Sequence, residues 1–188
     1  MNKQIIAIAA SIAILGIALY SMNFFGKETL KMDSNSIGTS PMTSETVTAA
    51  NLAPSIILKD INGTEYDLSK MTGEKIYVKF WASWCSICLA GLEEFNQLAG
   101  QTNDFKVFTI VSPNSNGEQN AADFTEWFKS LEQKNIIVLL DENGVVAKQY
   151  GVRAYPTSVF IASDGTLIKT MPGHMDNESI KTIFEGIK

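Results

Sequence analysis

The only two cysteines of the chain, Cys85 and Cys88, stand where a predicted strand meets a predicted helix. Residues 75–81 are dense in β-branched and aromatic side chains, which is typical of a buried strand. Directly after it, apolar side chains recur at helical spacing and predict one buried helix face, formed by Cys88, Leu92, Phe95 and Ala99. The solvent face of that helix is predicted to carry Glu93, Glu94 and Gln97. A buried strand that runs into an amphipathic helix is a unit of an α/β domain.

The rest of residues 54–188 continues this alternation of strands and helices. One hairpin is predicted around Asn62-Gly63, a dipeptide that strongly favours a tight turn, and another around residues 163–165. Further strands are predicted at 106–111 and 136–140, and further helices at 121–131, 145–150 and 179–187. This order predicts an α/β fold, with a mixed sheet that is covered by helices on both faces.

The N-terminal residues predict a membrane anchor. Residues 5–25 are 21 positions without a charge, close to the roughly 20 that cross a bilayer as a helix. The run is longer than a signal-peptide hydrophobic region and ends without a small-x-small cleavage site. We therefore predict a single-pass anchor at 1–26, a flexible tether at 27–53 and an extracytoplasmic domain at 54–188. A long cleaved signal and a soluble core helix are the alternatives.

Composition excludes several classes of function. Acidic residues outnumber basic ones by 20 to 15, so the net charge is −5, and no basic cluster is present to bind nucleic acid. Two cysteines are too few for a disulfide framework or a four-cysteine zinc site. Only one histidine, His174, could add a soft ligand. We therefore expect neither a metal nor a cofactor.

The spacing of the cysteines predicts redox chemistry. With two residues between them, both sulfurs can meet within one helical turn. Cys85 falls near the helix start, where unpaired backbone N–H groups and the helix dipole favour a thiolate. Cys85 is therefore the predicted nucleophile, and Cys88, one turn further in, is predicted to resolve the mixed disulfide. An inert structural disulfide and half of a metal site are the less favoured interpretations.

Two separate motifs resemble one family. Residues 79–88 read Lys-Phe-Trp-Ala-Ser-Trp-Cys-Ser-Ile-Cys, and residues 154–157 read Ala-Tyr-Pro-Thr. Together with the first hairpin they resemble thioredoxin-fold proteins, and the inserted helix around 124–131 resembles the membrane-tethered branch that includes TlpA and ResA. The stretch at 84–88 more narrowly resembles the surface thioredoxins of Gram-positive bacteria that keep an extracellular methionine sulfoxide reductase reduced.

The resemblance implies roles for three further residues. Pro156 is implied to follow a cis peptide bond and to face the cysteines, and a cis bond is accessible before proline because its trans preference is small. Tyr155 is implied to offer backbone groups to an extended client segment. Trp84 is implied to shield the sulfurs and to contact clients, with plain packing as the alternative.

Three positions depart from the family pattern, and one of them is Glu93, which stands where a kinking proline is common. Lys79 stands where thioredoxins often place a buried acid; pointing inward its charge would favour a thiolate, and pointing outward it would only be solvated. Gly91 stands where ResA-type relatives have a glutamate near the pair. His174 is assigned no role.

The predicted function is that of an extracytoplasmic thiol-disulfide oxidoreductase that reduces client proteins. The resemblance implies electrons passing from a CcdA-like membrane thiol carrier to a methionine sulfoxide reductase. An oxidase that forms disulfides in exported proteins is the first alternative, since the potentials of such proteins range from about −270 to −120 mV. A copper-binding or client-binding module without turnover is the second.

Overall fold

A computed structural model describes residues 51–187, which contain one seven-stranded sheet. The predicted anchor at 1–26 and residues 27–50 of the predicted tether lie outside the described residues. Within 51–187 no helix is both long enough and apolar enough to cross a bilayer. The strands are β1 (Ile57–Asp60), β2 (Glu65–Asp67), β3 (Lys75–Phe80), β4 (Phe105–Val111), β5 (Val138–Leu140), β6 (Thr157–Ile161) and β7 (Leu167–Pro172).

Helices cover both faces of this sheet. They are α1 (Ser86–Ala90), α2 (Leu92–Gly100), α3 (Ala121–Ser130), α4 (Val145–Gln149) and α5 (Asn177–Glu185). Short 3₁₀ turns occupy Leu68–Lys70 and Glu142–Gly144. Buried residues of α1, α2, α3 and α5 pack on one face, and those of α4 pack on the other.

The strand order is β2-β1-β5-β4-β3-β6-β7. Strand β3 is central, parallel to β4 and antiparallel to β6, while β5 is parallel to β4 and antiparallel to β1. The sheet is therefore mixed, as the sequence predicts. Because the cysteine pair follows β3, the centre of the sheet positions it.

The first hairpin turns where the Asn-Gly signal predicts. Asp60 Oδ1 accepts hydrogen bonds from the backbone N–H groups of Asn62 at 2.8 Å and Thr64 at 2.9 Å. Gly63 has a φ of +85°, which a residue with a Cβ rarely adopts. Upstream of β1, Leu52 bridges to Thr166 at the turn between β6 and β7.

Side-chain alternation along β3 divides the apolar core into two clusters. Tyr77 belongs to the cluster that also contains both cysteines. Val78 and Phe80 belong to the cluster beneath the first hairpin and α4. Lys79 follows the same alternation as Tyr77, so its side chain enters the cluster that holds the cysteines.

The helix after the cysteines is divided, where the sequence predicts a continuous one. Helix α1 ends at Ala90, Gly91 is the cap residue between the two helices, and α2 begins at Leu92. Gly91 has a φ of −94° and a ψ of 9°, and its N–H donates to the carbonyl of Leu89 two residues back. Further along, Leu98 is fully buried and the predicted Ala99 is only half-buried.

Candidate active site

Cys85 and Cys88 form a disulfide at the start of α1. Cys85 is the N-cap of the helix, and its Sγ accepts a hydrogen bond from the backbone N–H of Cys88 at 3.3 Å. An N-cap side chain of this kind satisfies a helix N–H that would otherwise lack a partner. Cys85 is 5% exposed and Cys88 is 1% exposed. The sulfur nearer the surface is thus the one that the sequence predicts to attack.

The loop before β6 faces this disulfide. The Tyr155–Pro156 peptide bond is cis, which is the arrangement that the resemblance implies. The carbonyl oxygen of Tyr155 lies 3.6 Å from Sγ of Cys85. The loop is held from both sides, because Thr157 Oγ1 donates to the carbonyl of Ala154 at 2.7 Å and the N–H of Gly173 donates to that of Pro156 at 2.7 Å. A backbone carbonyl beside the reactive sulfur can accept a hydrogen bond from an extended client segment.

Exposed apolar side chains surround the reactive end. Trp84 is 54% exposed, and its ring meets that of Tyr155 edge to face, with centroids 5.9 Å apart. Ile87 and Leu89 are also largely exposed. We call Trp84, Ile87 and Leu89 the apolar rim. The sequence pointed to Trp84 but not to Ile87 and Leu89. Of the five residues in α1, only Cys88 is buried.

A buried carboxylate that the sequence did not reveal holds the loop in front of the pair. Glu118 is 8% exposed and lies between β4 and α3. Its two oxygens accept hydrogen bonds from the backbone N–H and the hydroxyl of Ser83, each at 2.6 Å. The N–H of Gln119 donates to the same carboxylate at 2.8 Å. Because Ser83 is two residues before Cys85, Glu118 fixes the approach to the site.

Replacing Glu118 with alanine should lower the free energy of unfolding by about 3 kcal/mol, because the partly buried donors of Ser83 lose a charged acceptor. Denaturant unfolding of the oxidised protein measures this change. Ser83→Ala in the Glu118→Ala background should add little further loss, because the two residues share one contact. The exposed Glu126→Ala on α3 is the matched control. An equal loss in the free energy of unfolding for Glu118→Ala and Glu126→Ala would contradict the conclusion that Glu118 holds the loop before the cysteines.

Lys79 points inward, which decides between the two orientations left open by the sequence. The residue is 5% exposed, and its Nζ lies 4.8 Å from the centroid of the Phe95 ring. Burial lowers the pKa of Lys79 to about 8, and the nearby Glu94 carboxylate acts in the opposite direction. A cation therefore lies inside the cluster that contains the disulfide.

Glu94 acts on this cation from α2, and His174 lies next to Glu94. Glu94, predicted on the solvent face, is only 39% exposed at its side chain, and its Oε1 accepts the N–H of Asn177 at 3.0 Å. Its Oε2 lies 3.6 Å from Nε2 of His174. The His174 ring packs on Gly91 so closely that a Cβ there would lie 2.6 Å from Cε1. Only folding brings His174 to α2, because it lies beyond β7.

Metal ligands are not brought together in the part of the chain that the structure describes. Across 51–187, no three side chains of His, Cys, Asp or Glu are clustered closely enough to hold an ion. The two cysteine sulfurs are bonded to each other.

A disulfide at a strand-to-helix junction, opposite a cis-proline loop on a mixed sheet, defines a thioredoxin-like thiol-disulfide oxidoreductase. Residues 48–185 match the Redoxin family, and the chain belongs to that family. It is 30% identical over 179 residues to the thiol-disulfide oxidoreductase ResA of Bacillus subtilis, covering 94% of this chain and 87% of the relative. It is 29% identical over 171 residues to the thiol:disulfide interchange protein DsbE of Vibrio cholerae, covering 89% and 84%.

Solved structures agree with this fold. The crystal structure of the pneumococcal exposed lipoprotein thioredoxin from Streptococcus pneumoniae matches with a TM-score of 0.68 and 44% identity. That match covers 71% of this chain and all of the other. The prediction of a thiol-disulfide oxidoreductase with a Cys85–Cys88 redox pair is thus confirmed.

Proposed function

We propose that the protein is an extracytoplasmic reductase of client disulfides, with Cys85 as nucleophile and Cys88 as resolving thiol. The observation that carries the proposal is the position of Cys85. Its sulfur lies at the N-cap of α1, 3.6 Å from the Tyr155 carbonyl and beside the apolar rim, while Cys88 lies beneath. A client strand placed along Tyr155 and Pro156 would bring its disulfide to the outer sulfur alone.

The reaction follows from this order of exposure. The Cys85 thiolate attacks one client sulfur, which forms a mixed disulfide and releases the other client sulfur as a thiolate. Cys88 then loses its proton and attacks Sγ of Cys85. The client leaves as a dithiol carrying two electrons, and the protein is left with the Cys85–Cys88 disulfide seen in the structure.

The location and the partners belong to the same proposal. The predicted anchor at 1–26 and tether at 27–53 would hold the domain at the outer side of the cell membrane. A relative of known structure is named an exposed lipoprotein thioredoxin, which supports a surface location. A CcdA-like membrane thiol carrier would return two electrons to the disulfide, and an extracellular methionine sulfoxide reductase would be the client.

The reducing direction is favoured by the residues between the cysteines. Ser86 and Ile87 bring no cation to the mouth of the site, so neither of them adds to the helix start in holding the Cys85 thiolate. One observation favours the alternative, a disulfide-forming oxidase. The buried Lys79 would stabilise a thiolate in the reduced form, which raises the reduction potential.

The potential of the pair and its trapped clients test the proposal. Equilibration of the full-length protein with glutathione should give a value near −270 mV for a reductase, whereas a value near −120 mV would support the oxidase. Cys88→Ala should capture the sulfoxide reductase as a mixed disulfide on Cys85, with Cys85→Ala as the control. Capture of many different exported proteins would contradict the proposal that the sulfoxide reductase is the client. Tight Cu(I) binding without thiol exchange would instead support a binding module.

A further inference from the structure

The buried Lys79 contacts the cluster that contains the disulfide, and it takes no part in the exchange described so far. We propose that Lys79 is a positioning residue of the redox reaction, whose ammonium group stabilises the thiolate that Cys88 forms when it resolves a mixed disulfide. This inference rests on thiol-disulfide exchange by the pair and does not depend on its direction.

The sheet directs the Lys79 side chain into the cluster that contains Cys88. Lys79 is two residues from both Tyr77 and Trp81 and therefore points to the same side as they do, and both of these side chains pack in the cluster that contains Cys88. Lys79 is 5% exposed and Cys88 is 1% exposed, so little water lies around either group. The Phe95 ring, which contacts the ammonium group at 4.8 Å, belongs to the same cluster. Charges in such a poorly solvated region interact far more strongly than in water.

Among the described residues, Glu94 is the one charged group that acts on the pKa of Lys79. On its own strand, burial raises the pKa of Tyr77, so this phenol stays neutral, and its hydroxyl lies 2.7 Å from Ser158 Oγ on β6. On β4 the register partner is the uncharged Thr109. From α2 comes the Glu94 carboxylate, which is partly exposed and shared with Asn177 and His174.

Glu94 is therefore an incomplete counter-ion for the lysine. Its Oε1 is engaged by the N–H of Asn177 and its Oε2 faces His174, and 39% of its side chain is exposed, where water screens it. A Cys88 thiolate, by contrast, forms inside the cluster. The ammonium group is then paired with an anion on its buried side, and the deprotonated thiol is favoured.

The balanced step keeps the proton of the lysine in place. Cys88 gives its thiol proton to solvent, and its thiolate attacks Sγ of Cys85. The sulfur–sulfur bond to the client breaks, and the departing client sulfur takes up a proton from solvent. With a pKa of about 8, Lys79 is still mostly charged at neutral pH and can act throughout.

The test isolates Cys88, because in Cys85→Ser it is the only thiol of the full-length protein. Its ionisation is followed through the ultraviolet absorbance of the thiolate as a function of pH. Lys79→Met should raise the pKa of Cys88 by about one unit, a tenfold loss in acidity. Lys75→Met is the matched control, since this lysine lies at the far end of β3 and pairs with Asp104 at 3.2 Å. A Cys88 pKa equal in Lys79→Met and Lys75→Met would overturn the proposal.

Two further measurements separate an effect of charge from an effect of packing. Glu94→Gln removes an anion near Lys79, so it should lower the pKa of Cys88, a shift opposite in sign to that of Lys79→Met. With both cysteines present, Lys79→Met should also shift the glutathione equilibrium about tenfold toward the disulfide, which is about 30 mV. If Glu94→Gln and Lys79→Met shifted the pKa of Cys88 in the same direction, the cause would be a structural disturbance, and the electrostatic role would be refuted. The reductase proposal fails separately, on the potential of the unaltered protein.

Discussion

Cys85→Ser is expected to abolish disulfide exchange, whereas Cys88→Ala is expected to perform the first half of the reaction and then stop. A serine hydroxyl is not ionised near neutral pH, so position 85 loses its nucleophile. Cys88 cannot replace it, because it is 1% exposed and lies one turn inside α1. In Cys88→Ala the sulfur beside Tyr155 is kept, but nothing can release the client.

Two measurements check this asymmetry. Insulin reduction by the full-length protein should fall to the uncatalysed rate in both variants. Mass spectrometry without reductant should then show one client joined to Cys88→Ala and none joined to Cys85→Ser. Both variants lack the disulfide, so each controls for the other in stability. Equal amounts of adduct on the two variants would contradict the assignment of Cys85 as nucleophile.

Local sequence patterns predicted the elements that present the pair. The Asn62-Gly63 turn, the dense apolar run of β3 and the helical spacing of Phe124 and Phe128 each describe a structure that a few neighbouring residues decide. The N-cap position of Cys85 belongs to the same kind of signal, because it depends only on where β3 ends and α1 begins. These elements agree with the predicted ones to within a few residues.

Contacts between distant segments could not be predicted in this way. Glu118 reaches Ser83 across 35 positions, and Glu118 belongs to neither of the two motifs. His174 meets Gly91 only after the loop beyond β7 returns to α2, so this contact was not predicted. The sequence also read Glu94 as a solvent-facing residue, because helical periodicity does not reveal that Asn177 and His174 cover that part of α2.

The orientation of Lys79 was undecidable for a related reason. Strand β3 is central and its side chains are buried on both faces, so it shows no alternation of polar and apolar residues to mark one side. On an edge strand the same lysine would be expected to face solvent. Here either orientation leads into a core, and the tertiary structure selects the side with the cysteines.

Burying this lysine should destabilise the protein, and Lys79→Met is therefore expected to raise the free energy of unfolding at pH 7 by about 3 kcal/mol. Burial lowers the pKa of Lys79 from 10.5 to about 8 in the folded protein. A shift of this size corresponds to about 3 kcal/mol, since one pKa unit is worth about 1.4 kcal/mol. An apolar side chain of similar length removes the penalty of a buried charge.

The pH dependence of this gain separates charge from packing. Below about pH 8 the lysine is protonated in both states, so the full penalty is present. From about pH 8 to 10.5 the unfolded chain binds more protons than the folded protein, so the unaltered protein gains stability as the pH rises. The advantage of Lys79→Met, measured by urea unfolding of the oxidised protein, should therefore shrink over this range and disappear above it. Lys75→Met should show no such change, and an advantage of Lys79→Met that stays constant across the range would mean that packing, not a buried charge, is its cause.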